Sequence, residues 1–354
     1  MTIASNNNAL MRAPKHGGDV GRAILQYGGS AQDWLDLSTG ISPWSYPLPN
    51  IDDALWHQLP TEPTSLSLAA ADYYGCTRAH VVATPGSQLA IRLLPTLLHA
   101  QSHVAIPQVG YQEHRYGWQR AGHHIHFYKD STELNTLVAT QQVEHAVVIN
   151  PNNPTTERYT AEELRALGDT LRGLLLVDEA FADTETSSMV GQLDAMPNLL
   201  ILRSPGKFFG LAGARIGFLL SRHRIADALK TLLMPWSLSA PACYVVESAL
   251  RDKAWQVAQQ RRIRQSRDHQ ERHLSQFLAS RSPTLELRVE SLYCCLLGAA
   301  QPLYELHRAL AQQKIWTRIN TPQEPAPWLR LGLAGPARAR LKSALDNVLN
   351  QQLD

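Results

Sequence analysis

Lys207 lies in Ser204-Pro-Gly-Lys-Phe-Phe-Gly210, a glycine- and proline-bearing loop after the apolar run Leu199-Leu-Ile-Leu202. A lysine beside Phe208 and Phe209 is poorly solvated as an ammonium, so its neutral amine becomes available as a nucleophile toward aldehydes. Two other apolar runs end in polar groups that packing does not require: Ala146-Val-Val-Ile149 is followed by Asn152-Asn153, and Leu174-Leu-Leu-Val177 by Asp178-Glu179. The third run continues into Arg203-Ser204. Arg215 sits among small neighbours in Gly213-Ala-Arg-Ile-Gly217, which let a guanidinium approach an anion closely. Gly86-Ser87-Gln88 marks a strand-to-helix junction, where free backbone N–H groups favour phosphate. An aldehyde-binding amine, a carboxylate able to keep a ring nitrogen protonated and a phosphate cradle together describe a pyridoxal-phosphate site.

Each piece alone has a plainer reading. Acidic residues at strand ends cap helices, and Asn150-Pro-Asn-Asn-Pro154 is by itself a turn. Phe208 after Gly206-Lys207 excludes a nucleotide P-loop, and no GxGxxG opens a helix. On a strand, His124 and His126 share a face, but without a convergent Cys, Asp or Glu they read as an exposed edge, not a metal site. Arg261-Arg-Ile-Arg264, with Asp268 and Glu271 nearby, reads as a solvated helix face.

The elements that must position these groups alternate. Strands are expected at 80–84, 102–107, 122–128, 146–149, 174–177 and 199–202, the last two apolar enough to be covered on both faces. Helices are expected from Ser87 to Ala100 and, opened by the capping box Thr160-Ala-Glu-Glu163, to about Arg172. This alternation predicts an α/β fold with a mostly parallel sheet, and ligands in such sheets bind beyond the strands' carboxyl ends. After about Pro235 come a long helix through 256–278, strand-like segments at 285–289, 292–297, 315–318 and 328–331, and helices from Pro302 and near Pro336. These predict a smaller C-terminal α+β domain. The expected division is an N-terminal arm (1–45) serving the small domain and the active site, a large domain (46–235) and a small domain (236–354).

The 354 residues carry 33 Lys+Arg against 31 Asp+Glu, which gives no electrostatic reason to expect nucleic acid or an anionic membrane. No apolar run approaches a membrane span, and the polar start lacks a secretory signal's apolar stretch. Four cysteines (76, 243, 294 and 295), without CxxC spacing, read as reduced thiols. A cytoplasmic protein is expected.

Asn150-Pro-Asn-Asn-Pro-Thr155, Asp178-Glu-Ala-Phe181 and the block from Arg203 through Lys207 to Gly217 resemble the signatures of fold-type I, class I/II aminotransferase-like enzymes. The resemblance implies Lys207 as the cofactor-bonding lysine, Asp178 as partner of the pyridinium nitrogen and Asn153 as donor to the ring 3′-oxygen. It implies Ser204, Arg215 and Gly86, Ser87 and Gln88 around the phosphate, Tyr111 stacked on the ring, and Arg330 on the substrate α-carboxylate. Phe181 stands where the family carries a tyrosine, and Thr156 where it carries a glycine. The family's cross-subunit tyrosine has no clear counterpart in Leu59-Pro-Thr-Glu-Pro-Thr64.

Within that family, His16-Gly17-Gly18-Asp19, Leu35-Asp-Leu-Ser-Thr-Gly-Ile-Ser-Pro43, Tyr73-Tyr-Gly75, the Glu113-His114 pair with Trp118, and Pro235-Trp236 are similar to the cobalamin-pathway branch of threonine-phosphate decarboxylases. That likeness implies a small phosphorylated amino acid as substrate and a homodimer. His16, Gly17, Arg318 and Arg330 become candidates for holding the substrate's two anionic groups. The alternative is an aminotransferase of the histidinol-phosphate type.

Overall fold

The computed structural model describes residues 13–184, 187–320 and 324–350. Its twelve strands are β1 (Leu35–Leu37), β2 (Val81–Thr84), β3 (His103–Pro107), β4 (His124–Tyr128), β5 (His145–Ile149), β6 (Leu175–Asp178), β7 (Leu199–Arg203), β8 (Gly217–Ser221), β9 (Glu286–Val289), β10 (Tyr293–Leu297), β11 (Ile315–Ile319) and β12 (Trp328–Gly332). Seven form one sheet in the order β2-β8-β7-β6-β5-β3-β4. Every residue of β5, β6, β7 and β8 is buried, as expected of strands covered on both faces. Alternate residues feed two cores: Val148, Val177 and Ile201 pack on one face, Val147, Leu176 and Leu200 on the other.

The expected parallel pairing holds from β4 through β7. β8, which the pattern did not reveal, runs antiparallel to both β7 and β2. The expected helix from Ser87 is α-helical only to Leu93, and Pro95 lies in the tighter turn Leu94–Leu97 that continues it. The capping box is formed, with Thr160 accepting from the Glu163 N–H.

The second sheet has the order β1-β11-β12-β10-β9. β1, from the N-terminal segment, pairs parallel with β11, so the chain's two ends share one sheet. Leu37 joins the core formed by Leu274, Leu303, Leu310 and Leu331. Helix Lys253–Arg281 lies against this sheet and is three residues longer at each end than the pattern suggests. The first twelve residues of the expected arm lie outside the described residues; from Val20 to Tyr27 the arm is helical.

His145, at the start of β5, accepts a hydrogen bond on Nδ1 from the Leu174 N–H (2.9 Å), and burial pushes its pKa down to about 4. Unfolding lets this imidazole protonate below about 6.5, so its stabilisation is complete above that pH and fades as pH falls toward 4. Urea titrations should show stability falling by on the order of 2–3 kcal/mol over that window from this group. His145→Leu should flatten that part of the profile even if it lowers stability at pH 7.

Candidate active site

Because β8 returns antiparallel beside β7, with Arg203 opposite Phe218, the intervening loop begins and ends at one edge of the sheet. Ser204 leads into the short helix Pro205–Phe208 that carries Lys207, and Arg215 closes the loop in a left-handed conformation (φ 54°). That edge is also where β5 and β6 end, at Ile149 and Asp178, which are register partners. All nine predicted cofactor residues therefore line one cavity: Gly86, Ser87, Gln88, Tyr111, Asn153, Asp178, Ser204, Lys207 and Arg215.

The phosphate end is built from small groups. Ser87 Oγ and Ser204 Oγ lie 2.6 Å apart. Gly86 has φ +75°, and a Cβ there would come within 2.7 Å of Arg215 Nη2. The guanidinium thus lies against bare backbone, beside the first N–H groups of helix Ser87–Leu93.

At the other end, Asp178 is 3% exposed and accepts hydrogen bonds from His114 Nε2 (2.8 Å) and the Ala180 N–H (3.1 Å). His114 is wholly buried and lies 64 residues away in sequence. It is a site residue that the pattern reading did not single out as one. The signal was available: His114 follows Tyr111 by three positions across the start of helix Gln112–Arg120, a spacing that puts both on one face.

Lys207 has its pKa lowered to about 8, chiefly by burial and then by the Arg330 guanidinium, against the pull of Asp178. Its Nζ sits 5.6 Å from the centre of the Phe181 ring. An amine with that pKa has a substantial neutral fraction near neutral pH, which reaction with an aldehyde requires. The cavity thus carries a buried carboxylate at one end, hydroxyls, helix N–H groups and a guanidinium at the other, and an amine between. This donor set fits pyridoxal phosphate, with Asp178 at the ring nitrogen, Lys207 at the aldehyde and the Ser87, Ser204 and Arg215 cluster at the phosphate.

The substrate candidates lie outside that cavity. His16, Gly17 and Arg318 line a second one, under the N-terminal arm and beside β11. Arg330 stands between the two, donating to Asn153 Oδ1 on one side and to the Ser38 carbonyl (2.6 Å) on the other. His16 donates to Glu113 Oε1 (2.6 Å), a fully buried carboxylate also held by Arg92. Arg318 donates to the Lys15 carbonyl at 2.7 Å. A Cβ on Gly17 would meet Ser38 O at 2.2 Å, so glycine lets the arm close onto that segment.

Three groups of the expected convergence turn away from it. Arg203, buried, forms ion pairs with Glu179 and Asp183, each at 2.6 Å. Asp178 and Glu179 thus split, one into the cavity and one into this triad, because successive side chains point to opposite faces. Asn152 donates to the Val109 carbonyl (2.8 Å) and leaves the cavity to Asn153.

The family model for class I and II aminotransferases matches residues 57–348. The chain belongs to this family. It is 37% identical over 338 residues to a threonine-phosphate decarboxylase of Pseudomonas aeruginosa, covering 94% of this chain and 97% of that one. A threonine-phosphate decarboxylase of Sinorhizobium sp. is 38% identical, over 70% of this chain and 75% of its own. Among solved structures, a histidinol-phosphate aminotransferase of Sinorhizobium meliloti in complex with pyridoxal-5'-phosphate superposes with a TM-score of 0.81 at 20% identity, covering 98% of each chain. That likeness establishes the fold-type I architecture and leaves substrate open.

Gly86→Ala should damage the phosphate end alone. The added methyl meets Arg215, and an L-residue at φ +75° is strained by roughly 1–2 kcal/mol. Affinity for pyridoxal phosphate, read by fluorescence titration, should fall about tenfold or more, while affinity for pyridoxal falls less.

Proposed function

We propose that this protein is a pyridoxal-phosphate-dependent carboxy-lyase that converts L-threonine O-3-phosphate to carbon dioxide and (R)-1-amino-2-propanol O-2-phosphate, a step of cobalamin biosynthesis. The observation that carries the reading is a pair of arginines. Arg318 and Arg330 are register partners on antiparallel β11 and β12; Arg318 has Glu324 at 3.9 Å, while Arg330 has no carboxylate partner among the described residues. Like charges placed directly opposite destabilise a sheet, so the pair suits a ligand with two anionic groups. Threonine phosphate carries a carboxylate and a phosphate; histidinol phosphate carries only a phosphate. The curated relatives named as threonine-phosphate decarboxylases support the same choice.

Bound pyridoxal phosphate supplies an electron-withdrawing ring that stabilises negative charge at the substrate's Cα. Asp178, its far oxygen held by His114, keeps the proton on the ring nitrogen. Arg330 would orient the substrate carboxylate, and Asn153, whose Oδ1 accepts from Arg330, would donate through its Nδ2 to the ring 3′-oxygen. Arg318 and His16 hold the phosphate side, with Gly17 letting the arm pack over it. Tyr111, half-buried at the cavity wall, covers the ring face. Lys207 delivers a proton to Cα once carbon dioxide has left, so one proton is taken up per turnover.

The protein acts as a homodimer in this reading. Trp56, Leu59, Met234 and Trp236 are each more than 60% exposed, and the flanking segments border one groove. Apolar exposure of that kind marks an association surface. Light scattering should return twice the chain mass, and Trp236→Glu should shift it toward the monomer. The four cysteines are free, with burial pushing their thiols up to about 11 or 12, which suits the cytoplasm.

Purified protein given L-threonine phosphate should release carbon dioxide without an added oxo acid. Given histidinol phosphate and 2-oxoglutarate it should form little glutamate; glutamate without carbon dioxide would refute the lyase assignment. Lys207→Ala should lose the borohydride-reducible visible band and at least about a thousandfold in rate.

A further inference from the structure

Helix Lys253–Arg281 buries two glutamines eleven positions apart, and each holds one half of the site. Gln259 has no exposed surface; its amide donates to the Phe208 carbonyl (2.8 Å), Ser42 Oγ (2.7 Å) and, at longer range, the Trp44 carbonyl (3.2 Å). Phe208 is the residue after Lys207. Gln270 donates to the Gly332 carbonyl (3.0 Å) and accepts from the Ala334 N–H (2.8 Å), gripping the end of β12 two residues past Arg330. Apolar residues would suit both positions better on burial grounds alone, since an incompletely bonded buried amide costs about 1–3 kcal/mol. Gln259 Oε1 is buried without a partner. At 1.5 Å per residue, the helix spans about 16 Å between the two grips.

A second connection runs alongside. The Ser38 carbonyl takes Arg330 Nη2, and Thr39 passes so near Gly332 that a Cβ there would lie 2.2 Å from its carbonyl oxygen. Four residues on from Ser38, the Ser42 N–H donates to the Lys207 carbonyl (2.9 Å), and the Tyr46 N–H to that of Phe209 (2.8 Å). The lysine loop and the Arg330 strand are therefore joined twice, by the helix and by segment 38–46. Gln259, bonded to Ser42 and to Phe208, ties the two connections together.

The bond broken at Cα is the one held perpendicular to the ring. That angle depends on where the cofactor's anchor and the carboxylate's anchor sit relative to each other. Building on the lyase reading, we propose that Gln259 and Gln270 are positioning residues that set the separation of Lys207 from Arg330, and thereby make the carboxylate, not the hydrogen, the group that leaves Cα. Neither side chain touches substrate or cofactor; both act through backbone carbonyls and N–H groups beside the residues that do.

The test uses Gln259→Met and Gln270→Met, which keep length and apolar packing and remove the bonds, with Gln259→Asn as a conservative partner for the first. For the loaded enzyme, the readout is the ratio, in a single turnover, of 2-oxo acid formed (its amino group left on the cofactor) to carbon dioxide released from L-threonine phosphate. A displacement of about 1 Å is enough for a tenfold to hundredfold effect, so the ratio should rise at least about tenfold in each Met variant and less in Gln259→Asn. For the cofactor-free protein, the readout is the midpoint of Lys207 acetylation against pH. It should rise from about 8 in Gln259→Met as the loop swings away from Arg330, while burial, the larger cause, still holds it below the ordinary lysine value. Variants that melt earlier but keep both the product ratio and the Lys207 midpoint would overturn the proposal. If the parent protein released no carbon dioxide, the lyase reading would fall, and an unmoved midpoint would then refute the positioning role separately.

Discussion

The direction of one strand governs the site. Had β8 run parallel to β7, the connection would have had to carry the chain back to the far edge of the sheet. Running antiparallel, it keeps Ser204, Lys207 and Arg215 within one short loop at the edge where β5 and β6 end. Asp178 is then within reach of the same cavity as Lys207 although 29 residues of sequence separate them. Gly217 shows how tightly this return is packed: a Cβ there would lie 2.2 Å from the Ser87 nitrogen, so the strand that follows Arg215 presses directly on the helix start that offers its N–H groups.

Two populations of buried charge lie a residue apart along the same strands and serve opposite ends. Arg203 pairs with Glu179 and Asp183, with Tyr74 stacked 4.5 Å from the guanidinium, while Asp183 Oδ2 and Arg203 Nε have no hydrogen-bond partner among the described residues. Breaking a buried set of this kind is strongly destabilising, so it fixes β6 and β7 end to end. The neighbouring residues Asp178 and Ser204 face the cavity, where charge is left unmatched: among the described residues lining it, Lys207 and Arg215 stand against Asp178, with Arg330 in the adjoining wall. An excess of cations with free donors is costly without an anion, and a phosphate dianion brings the missing charge. Structural and functional electrostatics are thus separated by the two-residue period of a strand.

The cofactor cavity was legible in the amino-acid order because its chemistry is local. Lys207, Ser204 and Arg215 lie in one block, and each other group follows directly on an apolar run that had to be a strand. Residues whose role depends on distant partners were not legible in that way. His114 meets Asp178 across 64 positions, and nothing at position 114 announces a carboxylate. Gln259 and Gln270 are two polar residues on a long helix charged on one side, and nothing in their type marks them as buried. Arg203 read as part of the site because strand register, which decides its face, is fixed by pairing and not by composition. β8 escaped altogether: only three residues of Gly217-Phe-Leu-Leu-Ser221 are large and apolar, too short a run to mark a strand or its direction.

The arm shows how a second domain can be built from both chain ends for a chemical reason. β1 brings Ser38 beside Arg330 and Gly17 beside Ser38, while His16 reaches the buried Glu113 of the large domain. Glu113 also has Arg92, and against the push of burial the hydrogen bonds from His16 and then Arg92 hold its pKa below the usual carboxylate range. The consequence is a wall, made of Arg330, Asn153 and Ser38, between a cavity suited to the cofactor and one suited to a second anion. A substrate bridging the two must be short, must carry an anion at each end, and must present its Cα at the wall. Amino-acid phosphates meet those conditions, and a substrate with a single anion would leave either Arg330, which has no carboxylate partner among the described residues, or the cavity lined by His16 and Arg318 without its anion.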